Sequence, residues 1–314
     1  MATEKPTVIV LGASGMLGSM VTDVLSRDDD LNIIATVRNQ ALANVCKKRV
    51  SQVEWHIFDS DTQDNTLRQF RDLGQAQWVI NAIGLTKPYT HDDNPSEIQR
   101  AIIGNSLLPY WIASAIGETG GKVLQIATDC VYSGTKGCYV ESDKHDAIDV
   151  YGKTKSLGES LFPNLHCLRC SIIGPEPKAY AFLIEWFRRQ PQNTSVSGFT
   201  NHAWNGVTTL HFAKVCYAII KNTLTLPHLQ HIIPIGQISK YELLRSFSKA
   251  YHRADIVIKP TEASYTVDRT LATENPELNR EIWKLAGYPH RPPTIPEMVE
   301  ELAAFDFRFE GLTL

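Results

Sequence analysis

The chain has 314 residues, a formal net charge of -3 at pH 7 and a hydrophobic content of 43%. Such a composition is typical of a globular protein with one large domain, or with a large and a small one. A net charge of -3 does not indicate the excess of basic residues that nucleic-acid binding requires. No apolar run reaches the ~18 residues that a membrane span needs. The N-terminus does not resemble a signal peptide, and six cysteines in a chain of this size favour reduced thiols, so we expect a cytoplasmic protein.

The first strand and the loop after it predict a dinucleotide site. Thr7–Leu11 is a short apolar run typical of a buried parallel strand, and Leu17–Leu25 has helical spacing. Between them, Gly12, Gly15 and Gly18 would permit a tight turn, close approach of the backbone to a pyrophosphate, and close helix packing. The predicted cofactor contacts in this loop are Gly12, Ser14, Gly15, Met16 and Leu17.

The end of the second strand predicts the type of cofactor. This strand, Ile33–Val37, is followed by Arg38. An NAD enzyme would place an acidic residue on the ribose hydroxyls here, roughly 20 residues past the glycines. An arginine can pair with a 2′-phosphate instead, so we expect NADP(H) rather than NAD(H). The alternative is a solvated arginine in a loop.

Strand and helix signals alternate through about residue 174, which predicts an α/β fold with a parallel, doubly wound sheet of the Rossmann type. Further strands are predicted over residues 53–58, 78–84, 123–127, 166–173 and 232–236, and a long helix over 96–117. We predict a cofactor-binding domain over residues 1–174, to which residues 208–236 return. A smaller C-terminal substrate-binding domain would comprise residues 175–207 and 237–314.

The segment from Ala127 to Lys155 predicts a catalytic centre. Thr128 ends an apolar strand, and Tyr151 and Lys155 are spaced to share one face of a helix. At an effective dielectric of ~20, an ammonium ~4 Å away could lower the pKa of Tyr151 by up to ~3. Such a tyrosine can exchange a proton with an alcohol or a carbonyl, and Thr128 would hold the same oxygen. Alone, a Tyr-x-x-x-Lys pair usually means a half-buried ring and a solvated amine; the threonine and the glycine loop favour catalysis.

The glycine spacing G-x-x-G-x-x-G, together with Thr128, Tyr151 and Lys155, resembles the extended branch of the short-chain dehydrogenase/reductase superfamily. Within it, the chain is similar to the nucleotide-sugar 4-keto reductases of the dTDP-4-dehydrorhamnose reductase type. The segments that carry this similarity are Thr128–Gly134, Tyr139–Asp143, Tyr151–Glu159 and Leu168–Gly174. Cys130 and Tyr132 stand where the family usually has Tyr and Phe, which leaves the exact substrate open.

The resemblance implies stereospecific reduction, by NADPH, of the C4 keto group of a nucleoside-diphosphate 6-deoxy-4-ketohexose, in deoxysugar biosynthesis for cell-surface polysaccharide. Tyr151 would donate the proton, Lys155 would hold the nicotinamide ribose, and Thr128 would hold the carbonyl oxygen. Further cofactor contacts are implied at Asp59, Ser60, Ala82, Ile83, Gly84, Asn105, Tyr151 and Lys155. Substrate contacts are implied at Thr86, Lys87, Asp129, Val131, Trp204, Asn205 and Arg269.

Other reactions stay open. A 4,6-dehydratase usually carries Asp-Glu directly after its strand-end threonine, whereas Asp129-Cys130 follows Thr128 here. This argues against dehydration and leaves a nucleotide-sugar epimerase open. A third alternative is a non-catalytic NADP-binding regulatory subunit, although such relatives often lose the catalytic Tyr or Lys, and both are present.

Individual residues also have structural alternatives. Asp59 could cap a helix, Asn105 could satisfy its own helix backbone, Trp204 could pack in the core, and Arg269 could form a surface ion pair. No cluster of metal ligands is apparent, so we predict no metal site. A homodimer is an open expectation.

Overall fold

The computed structural model describes residues 5–178 and 180–312. Its strands are β1 (Thr7–Leu11), β2 (Asn32–Val37), β3 (Glu54–Ile57), β4 (Trp78–Asn81), β5 (Lys122–Thr128), β6 (Leu165–Cys170), β7 (Ile172–Ile173), β8 (Ser195–Phe199), β9 (His202–Trp204), β10 (Val207–Thr208), β11 (Leu229–His231), β12 (Ile238–Ser239), β13 (Val257–Thr261) and β14 (Val267–Asp268). Its α-helices are α1 (Met16–Leu25), α2 (Gln40–Arg49), α3 (Gln63–Leu73), α4 (Pro95–Ala101), α5 (Leu108–Gly117), α6 (Val150–Leu157), α7 (Leu183–Arg188), α8 (Thr209–Lys221), α9 (Lys240–Ala250), α10 (Pro276–Leu285) and α11 (Ile295–Ala304).

Seven parallel strands form the central sheet, in the order β11-β6-β5-β4-β1-β2-β3. The chain winds from β1 to one edge and then, from β4 onward, to the other, so the strand order reverses between β1 and β4. This arrangement confirms the predicted doubly wound α/β sheet. In such sheets, ligands bind in the crevice outside the carboxyl ends of the strands at this switch point.

Both faces of the sheet are buried at β1, which explains the nearly continuous apolar sequence of this strand. Val8 and Val10 pack into the core on one face, and Ile9 and Leu11 pack into the core on the other. Side chains alternate between faces along a strand, so apolar residues are needed at every position. Helices α1 and α8 cover the first face, and α3 and α5 cover the second.

The long helix predicted over residues 96–117 is present, but its middle turn is a π-helix. Helix α4, the π-helical segment Ile102–Leu107 and α5 follow one another without a break. A π-helix holds an extra residue in a turn, and such segments are frequent at functional sites. Here the segment contains Asn105, one of the predicted cofactor contacts.

The strand predicted over residues 232–236 is wrong. The returning strand is β11, which pairs with β6 three residues earlier in the chain. The Ile232 N–H still donates to the Arg169 carbonyl at 3.0 Å, but Pro234 has no N–H with which to continue the ladder. Gly236 then turns the chain away with a φ of +78°.

The second half of the chain adds small sheets and helices beside the central sheet. Strands β12, β9 and β14 form one three-stranded sheet, and β8 pairs with β13. Leu243, Phe247, Trp283 and Met298 belong to the same hydrophobic core as one face of the central sheet. The predicted substrate-binding domain therefore shares a core with the cofactor half, and the boundary between two domains stays a prediction.

Among the described residues, no helix is both long enough and apolar enough to cross a lipid bilayer.

Candidate active site

The glycine loop lies at the switch point of the sheet. Gly12 has a φ of +76°, in the left-handed region that favours glycine. The N–H groups of Gly12 and Ala13 donate to the hydroxyl and carbonyl oxygens of Thr36, at 3.3 and 2.9 Å. A Cβ on Gly18 would lie 2.3 Å from the Gly12 carbonyl oxygen, so α1 can pack this closely only with glycine there. Gly15 caps α1 and is exposed, which leaves the loop open to an anion.

The other predicted contacts of this loop differ in exposure. Ser14 and Leu17 are buried, with 7% and 8% of their surfaces exposed, and Met16 is half-buried. The Leu17 side chain packs into the hydrophobic core. Any contact that Leu17 makes with a cofactor would therefore have to come from its backbone.

Arg38 and Asp59 lie just beyond the ends of the neighbouring strands β2 and β3. Arg38 is exposed and forms neither a hydrogen bond nor an ion pair within residues 5–178 and 180–312. The backbone of Asp59 is held by Gln69, which accepts from its N–H at 2.8 Å and donates to its carbonyl at 2.6 Å. Asp59 is not a helix cap, because Thr62 caps α3. Ser60 is half-buried beside it.

The loop after β4 is braced by the π-helix. The Asn105 side chain accepts from the Leu85 N–H at 2.8 Å and donates to the Leu85 carbonyl at 2.9 Å. It therefore fixes a loop 20 residues away and does not serve its own helix backbone. The predicted cofactor contacts in this loop are Ala82, Ile83 and Gly84. We infer that Asn105 acts on a cofactor at least partly through the position of this loop.

Thr128, Tyr151 and Lys155 come together at the carboxyl end of β5. The Thr128 hydroxyl lies beside Tyr151, close enough to oppose the rise in its pKa. The Lys155 ammonium donates to the Ile126 carbonyl at 2.6 Å, and a Cβ on Gly84 would lie 4.0 Å from the same nitrogen. Lys155 therefore reaches between the end of β5 and the loop after β4, on the side of the glycine loop.

The predicted lowering of the Tyr151 pKa by Lys155 is wrong for the chain by itself. Burial raises the pKa of Tyr151 well above its ordinary value; the nearby Cys130 thiol raises it further, and the Thr128 hydroxyl opposes the rise. Burial also lowers the pKa of Lys155. The Lys155 ammonium donates to a backbone carbonyl and does not offset the effect of burial on Tyr151. Tyr151 is therefore a neutral phenol that carries its proton at neutral pH.

The N-terminus of α6 is fixed by carboxylates, and this positions Tyr151. Asp149 caps the helix by accepting from the Gly152 N–H at 2.7 Å, and Asp92 accepts from the Val150 N–H at 2.8 Å. The Lys87 ammonium donates to Asp149 at 2.7 Å. The predicted substrate residue Lys87 is thus paired with the cap of the helix that carries Tyr151.

A groove of about 480 Å³ opens onto Tyr151. Its lining residues are Lys87, Thr90, His91, Asp92, Asp93, Asp149 and Tyr151. The predicted substrate residue Thr86 adjoins this lining in the chain. Its hydroxyl is buried and has no hydrogen-bond partner within the part of the chain that the structure describes.

Three of the predicted substrate residues are occupied by packing or backbone contacts. Val131 is fully buried, so its side chain cannot line a pocket. Trp204 is 4% exposed and donates to the Ser171 hydroxyl at 2.9 Å. This favours its alternative role in the core over stacking on a substrate. The Asn205 amide donates to and accepts from the backbone of Leu271, at 2.7 and 2.9 Å.

Asp129 and two cations form the charged part of the site. Burial raises the pKa of Asp129, which also accepts from the Thr128 hydroxyl at 3.3 Å. Arg269 donates to the Tyr132 carbonyl at 2.8 Å. It forms no ion pair with a described residue, and its charge acts on Asp129. The predicted alternative of a surface ion pair for Arg269 is therefore not realised among these residues.

The second cation, Lys240, is not among the residues that the sequence predicted for the site. Its ammonium lies 5.1 Å from the centre of the Trp204 ring. Burial lowers the pKa of Lys240 to about 8, against the opposing charge of Asp129. Within the described ranges it has no hydrogen bond or ion pair. A capping box at Ser239 and Glu242 marks the start of α9, but no sequence signal predicts that Lys240 points toward Asp129.

No group of three or more potential metal ligands occurs among the residues described.

The relatives found by comparison with known proteins are distant in sequence. Methionine adenosyltransferase 2 subunit beta from Mus musculus is 22% identical over 264 residues, which cover 81% of this chain and 74% of that protein. Spore coat polysaccharide biosynthesis protein SpsK from Bacillus subtilis is 27% identical over 156 residues, covering 49% of this chain and 47% of that protein.

Solved structures share the fold over nearly the whole chain. The dTDP-4-dehydrorhamnose reductase from Bacillus anthracis, in complex with NADP, has a TM-score of 0.69 at 17% identity, covering 95% of this chain and 98% of that one. UDP-glucuronic acid 4-epimerase from Bacillus cereus, in complex with UDP-glucuronic acid and NAD, has a TM-score of 0.71 at 14% identity, with the same coverage. At these identities the likeness establishes the fold.

The family described as "RmlD substrate binding domain" matches residues 6–304. This match spans the glycine loop, the segment that carries Thr128, Tyr151 and Lys155, and the strands around Trp204. The resemblance to the dTDP-4-dehydrorhamnose reductase group is thereby confirmed, and the chain belongs to the RmlD substrate binding domain family.

Proposed function

We propose that this protein is an NADPH-dependent oxidoreductase that reduces the C4 keto group of a nucleoside-diphosphate 6-deoxy-4-ketohexose. The observation that carries the proposal is the meeting of Thr128, Tyr151 and Lys155 at the end of β5, beside the glycine loop. Family membership supports the reaction class. Similarity to the spore coat polysaccharide protein SpsK supports a role in deoxysugar supply for cell-surface polysaccharide.

The chain's own residues fit a nicotinamide dinucleotide phosphate. Gly12, Gly15 and Gly18 form a cradle that added Cβ atoms would strain or fill. Arg38 lies unpaired, within the described residues, at the end of β2, where a 2′-phosphate would need a cation. Lys155 lies next to the loop after β4, where it could hold the nicotinamide ribose. A reductase of the same fold was solved with NADP.

When bound, NADPH supplies the hydride. Tyr151 would supply the proton, because its phenol is protonated at neutral pH and lies beside Thr128, where it can act as the general acid toward a forming alkoxide. The Thr128 hydroxyl, beside Tyr151, would hold the same oxygen in line. Asp149 caps α6 and helps to fix this helix, which keeps the Tyr151 phenol beside the Thr128 hydroxyl.

The charges around Asp129 suit the rest of such a substrate. Arg269 and Lys240 supply positive charge for a diphosphate. The buried Asp129 offers oxygens to sugar hydroxyls. Cys130 cannot replace the glutamate of a dehydratase, because burial raises the pKa of its thiol to about 12.

Two alternatives rest on particular similarities. A nucleotide-sugar epimerase is supported by the likeness of the fold to UDP-glucuronic acid 4-epimerase. A non-catalytic NADP-binding regulatory subunit is supported by the similarity to methionine adenosyltransferase 2 subunit beta. The presence of both Tyr151 and Lys155 favours the reductase over the regulatory subunit.

The test follows NADPH oxidation by absorbance with a panel of 4-keto sugar nucleotides generated in place by a dehydratase, with NADH in parallel. We expect oxidation with at least one of them. NADPH binding without oxidation would favour the regulatory subunit. Interconversion of C4 epimers without net oxidation of the cofactor would favour the epimerase.

A further inference from the structure

Lys178 reaches back from the loop after β7 to the glycine loop. Its ammonium donates to the Ser14 hydroxyl at 3.3 Å, across 164 residues of sequence. The Ser14 hydroxyl is buried and makes no other hydrogen bond to a described residue. A cation from the second half of the chain thus lies over the loop that is proposed to hold the cofactor.

Lys178 also lies beside Arg38. Burial lowers the pKa of Lys178, and the Arg38 charge lowers it further. Across residues 5–178 and 180–312, no carboxylate forms an ion pair with either side chain. Two like charges held together in this way are unfavourable until an anion lies between them.

The loop that carries Lys178 is constrained. Pro175 and Pro177 restrict its backbone, and Glu176 accepts from the Phe182 N–H at 2.6 Å. A Cβ on Gly174 would lie 2.2 Å from the Thr209 hydroxyl, so the start of the loop packs tightly on α8. These contacts restrict the backbone that leads to Lys178, which reduces the entropy lost on binding.

We propose that Lys178 and Arg38 together bind the 2′-phosphate of NADPH, with Ser14 as a neutral hydrogen-bond donor, and that Lys178 determines the preference for NADP over NAD. The inference rests on the proposed cofactor. Arg38 marks the ribose end of the site, because it follows β2. A phosphate monoester carries about -1.5 to -2 charge at neutral pH, enough to engage two cations.

The test measures binding, independently of turnover. Dissociation constants for NADPH, NADH, adenosine 2′,5′-bisphosphate and 5′-AMP are determined by calorimetry at fixed ionic strength. The variants are Lys178→Gln, Lys178→Arg and Arg38→Gln. Lys284→Gln is the control, because it removes the same charge from an exposed position on α10.

We expect Lys178→Gln to weaken NADPH and the 2′,5′-bisphosphate about tenfold or more, and NADH and 5′-AMP less than about twofold. Arg38→Gln should show the same selectivity, because both residues would bind one phosphate. Lys178→Arg should stay within about threefold of wild type, because it keeps the charge. The control should bind all four ligands as wild type does.

Equal weakening of NADPH and NADH would overturn the inference, since Lys178 would then bind a group common to both, such as the pyrophosphate. Unchanged NADPH binding would overturn it as well and would leave the proposed reductase intact. Failure of the proposed cofactor is a separate result, in which wild type binds neither dinucleotide. Selective binding of NADPH without turnover would support the inference and remove only the catalytic part of the proposed function.

Discussion

Tyr151 shows how a single residue can keep its expected place and change its expected state. The sequence spacing put it on one helix face with Lys155, and an ammonium one turn away was expected to favour the phenolate. In the folded chain, Lys155 donates to the Ile126 carbonyl at 2.6 Å, and burial raises the pKa of Tyr151. Carbonyl reduction requires a proton donor, which the protonated phenol supplies, but burial makes this phenol a weaker acid than free tyrosine.

We expect Tyr151→Phe to lower turnover by about 10²–10⁴-fold, because the general acid is lost. The affinity for NADPH should stay within about twofold, because the ring is retained. Single-turnover kinetics and calorimetry measure the two quantities. Tyr110→Phe is the matched control, because that hydroxyl only donates to the Leu157 carbonyl at 3.1 Å on the exposed surface. Turnover of Tyr151→Phe at the wild-type rate would remove the tyrosine from the mechanism.

We expect Lys240 to lower the stability of the folded protein and to strengthen substrate binding. Lys240→Met removes a partly buried cation whose pKa is lowered in the folded chain, so it should increase the free energy of unfolding at pH 7 by on the order of 1–3 kcal/mol. The same change should raise the substrate KM about tenfold, because a cation near Asp129 is lost. Urea denaturation and steady-state kinetics measure the two effects. Lys249→Met is the control and should show neither effect, because Lys249 is exposed on α9 and its ion pair with Glu300 is exposed as well.

The extra stability of Lys240→Met over wild type should decrease as the pH rises. The pKa of Lys240 falls from 10.5 to about 8 in the folded chain. The unfolded state therefore binds the proton more tightly, and wild-type stability rises with pH between these two values. The advantage of Lys240→Met should be complete below pH 8 and gone by pH 10.5. An advantage that persists at the higher pH would contradict this electrostatic origin.

At the scale of elements, α6 and the π-helix must fit closely for the site to form. A Cβ on Gly158 would lie 1.9 Å from the Asn105 carbonyl oxygen. Gly158→Ala should therefore push these elements apart and lower the free energy of unfolding by about 1–3 kcal/mol. NADPH should bind more weakly, since Asn105 holds the loop at Leu85. Urea denaturation and calorimetry measure the two changes.

Gly117→Ala tests whether the effect comes from contact with backbone. The atoms nearest to its added Cβ belong to the side chain of Asn164, at 3.2 Å, and not to backbone. We expect a change below about 1 kcal/mol. Equal losses of unfolding free energy in Gly158→Ala and Gly117→Ala would mean that the π-helix is no more closely packed than an ordinary helix end.

Arg169 joins the two catalytic segments through a buried network. It is fully buried and donates to Glu159 after α6 at 2.5 Å and to the Tyr132 hydroxyl at 2.6 Å. His145 and His231 lie 2.8 and 3.0 Å from its guanidinium. The network therefore ties the loop after Thr128 to the end of the helix that carries Tyr151 and Lys155.

We expect Arg169→Met to cost about 3–5 kcal/mol of unfolding free energy, because the mostly buried Glu159 carboxylate loses its guanidinium partner and keeps only His145, at 3.7 Å. Adding Glu159→Met should recover part of that loss. Double-mutant cycles by urea denaturation measure the coupling. The exposed pair Arg280 and Glu277 is the control, with an expected coupling below about 1 kcal/mol. Equal coupling in both pairs would contradict the structural role of the buried network.

For the whole molecule, the shared core predicts cooperative unfolding. Phe247, Trp283 and Met298 from the second half pack with α8 and α1 on one face of the sheet. We expect circular dichroism and tryptophan fluorescence to report one coincident transition in urea. NADPH at 100 times its dissociation constant should add about 2.7 kcal/mol. Two separated transitions would instead support the predicted division into a cofactor domain and a substrate-binding domain.

The sequence alone determined the parts of this protein that depend on spacing along the chain. Burial on both faces made the central strands apolar, glycines at three-residue intervals marked the turn, and a four-residue interval placed Tyr151 and Lys155 on one face. Each of these is a local property of a strand, a turn or a helix, so it can be predicted from the sequence without knowledge of tertiary contacts. A prediction that relied on neighbouring residues alone still failed at residues 232–236, where the strand ends three residues too early to include Pro234.

Only the tertiary structure decided burial, charge state and the direction of individual side chains. Trp204 and Val131 proved to be buried, the pKa of Tyr151 rose, and Lys240 and Lys178 were brought to the site from the second half of the chain. These properties arise from contacts between residues tens to more than a hundred positions apart, such as the one between Lys178 and Ser14 across 164 residues. A buried charge is set by everything packed around it, and no local pattern in the sequence records that surrounding.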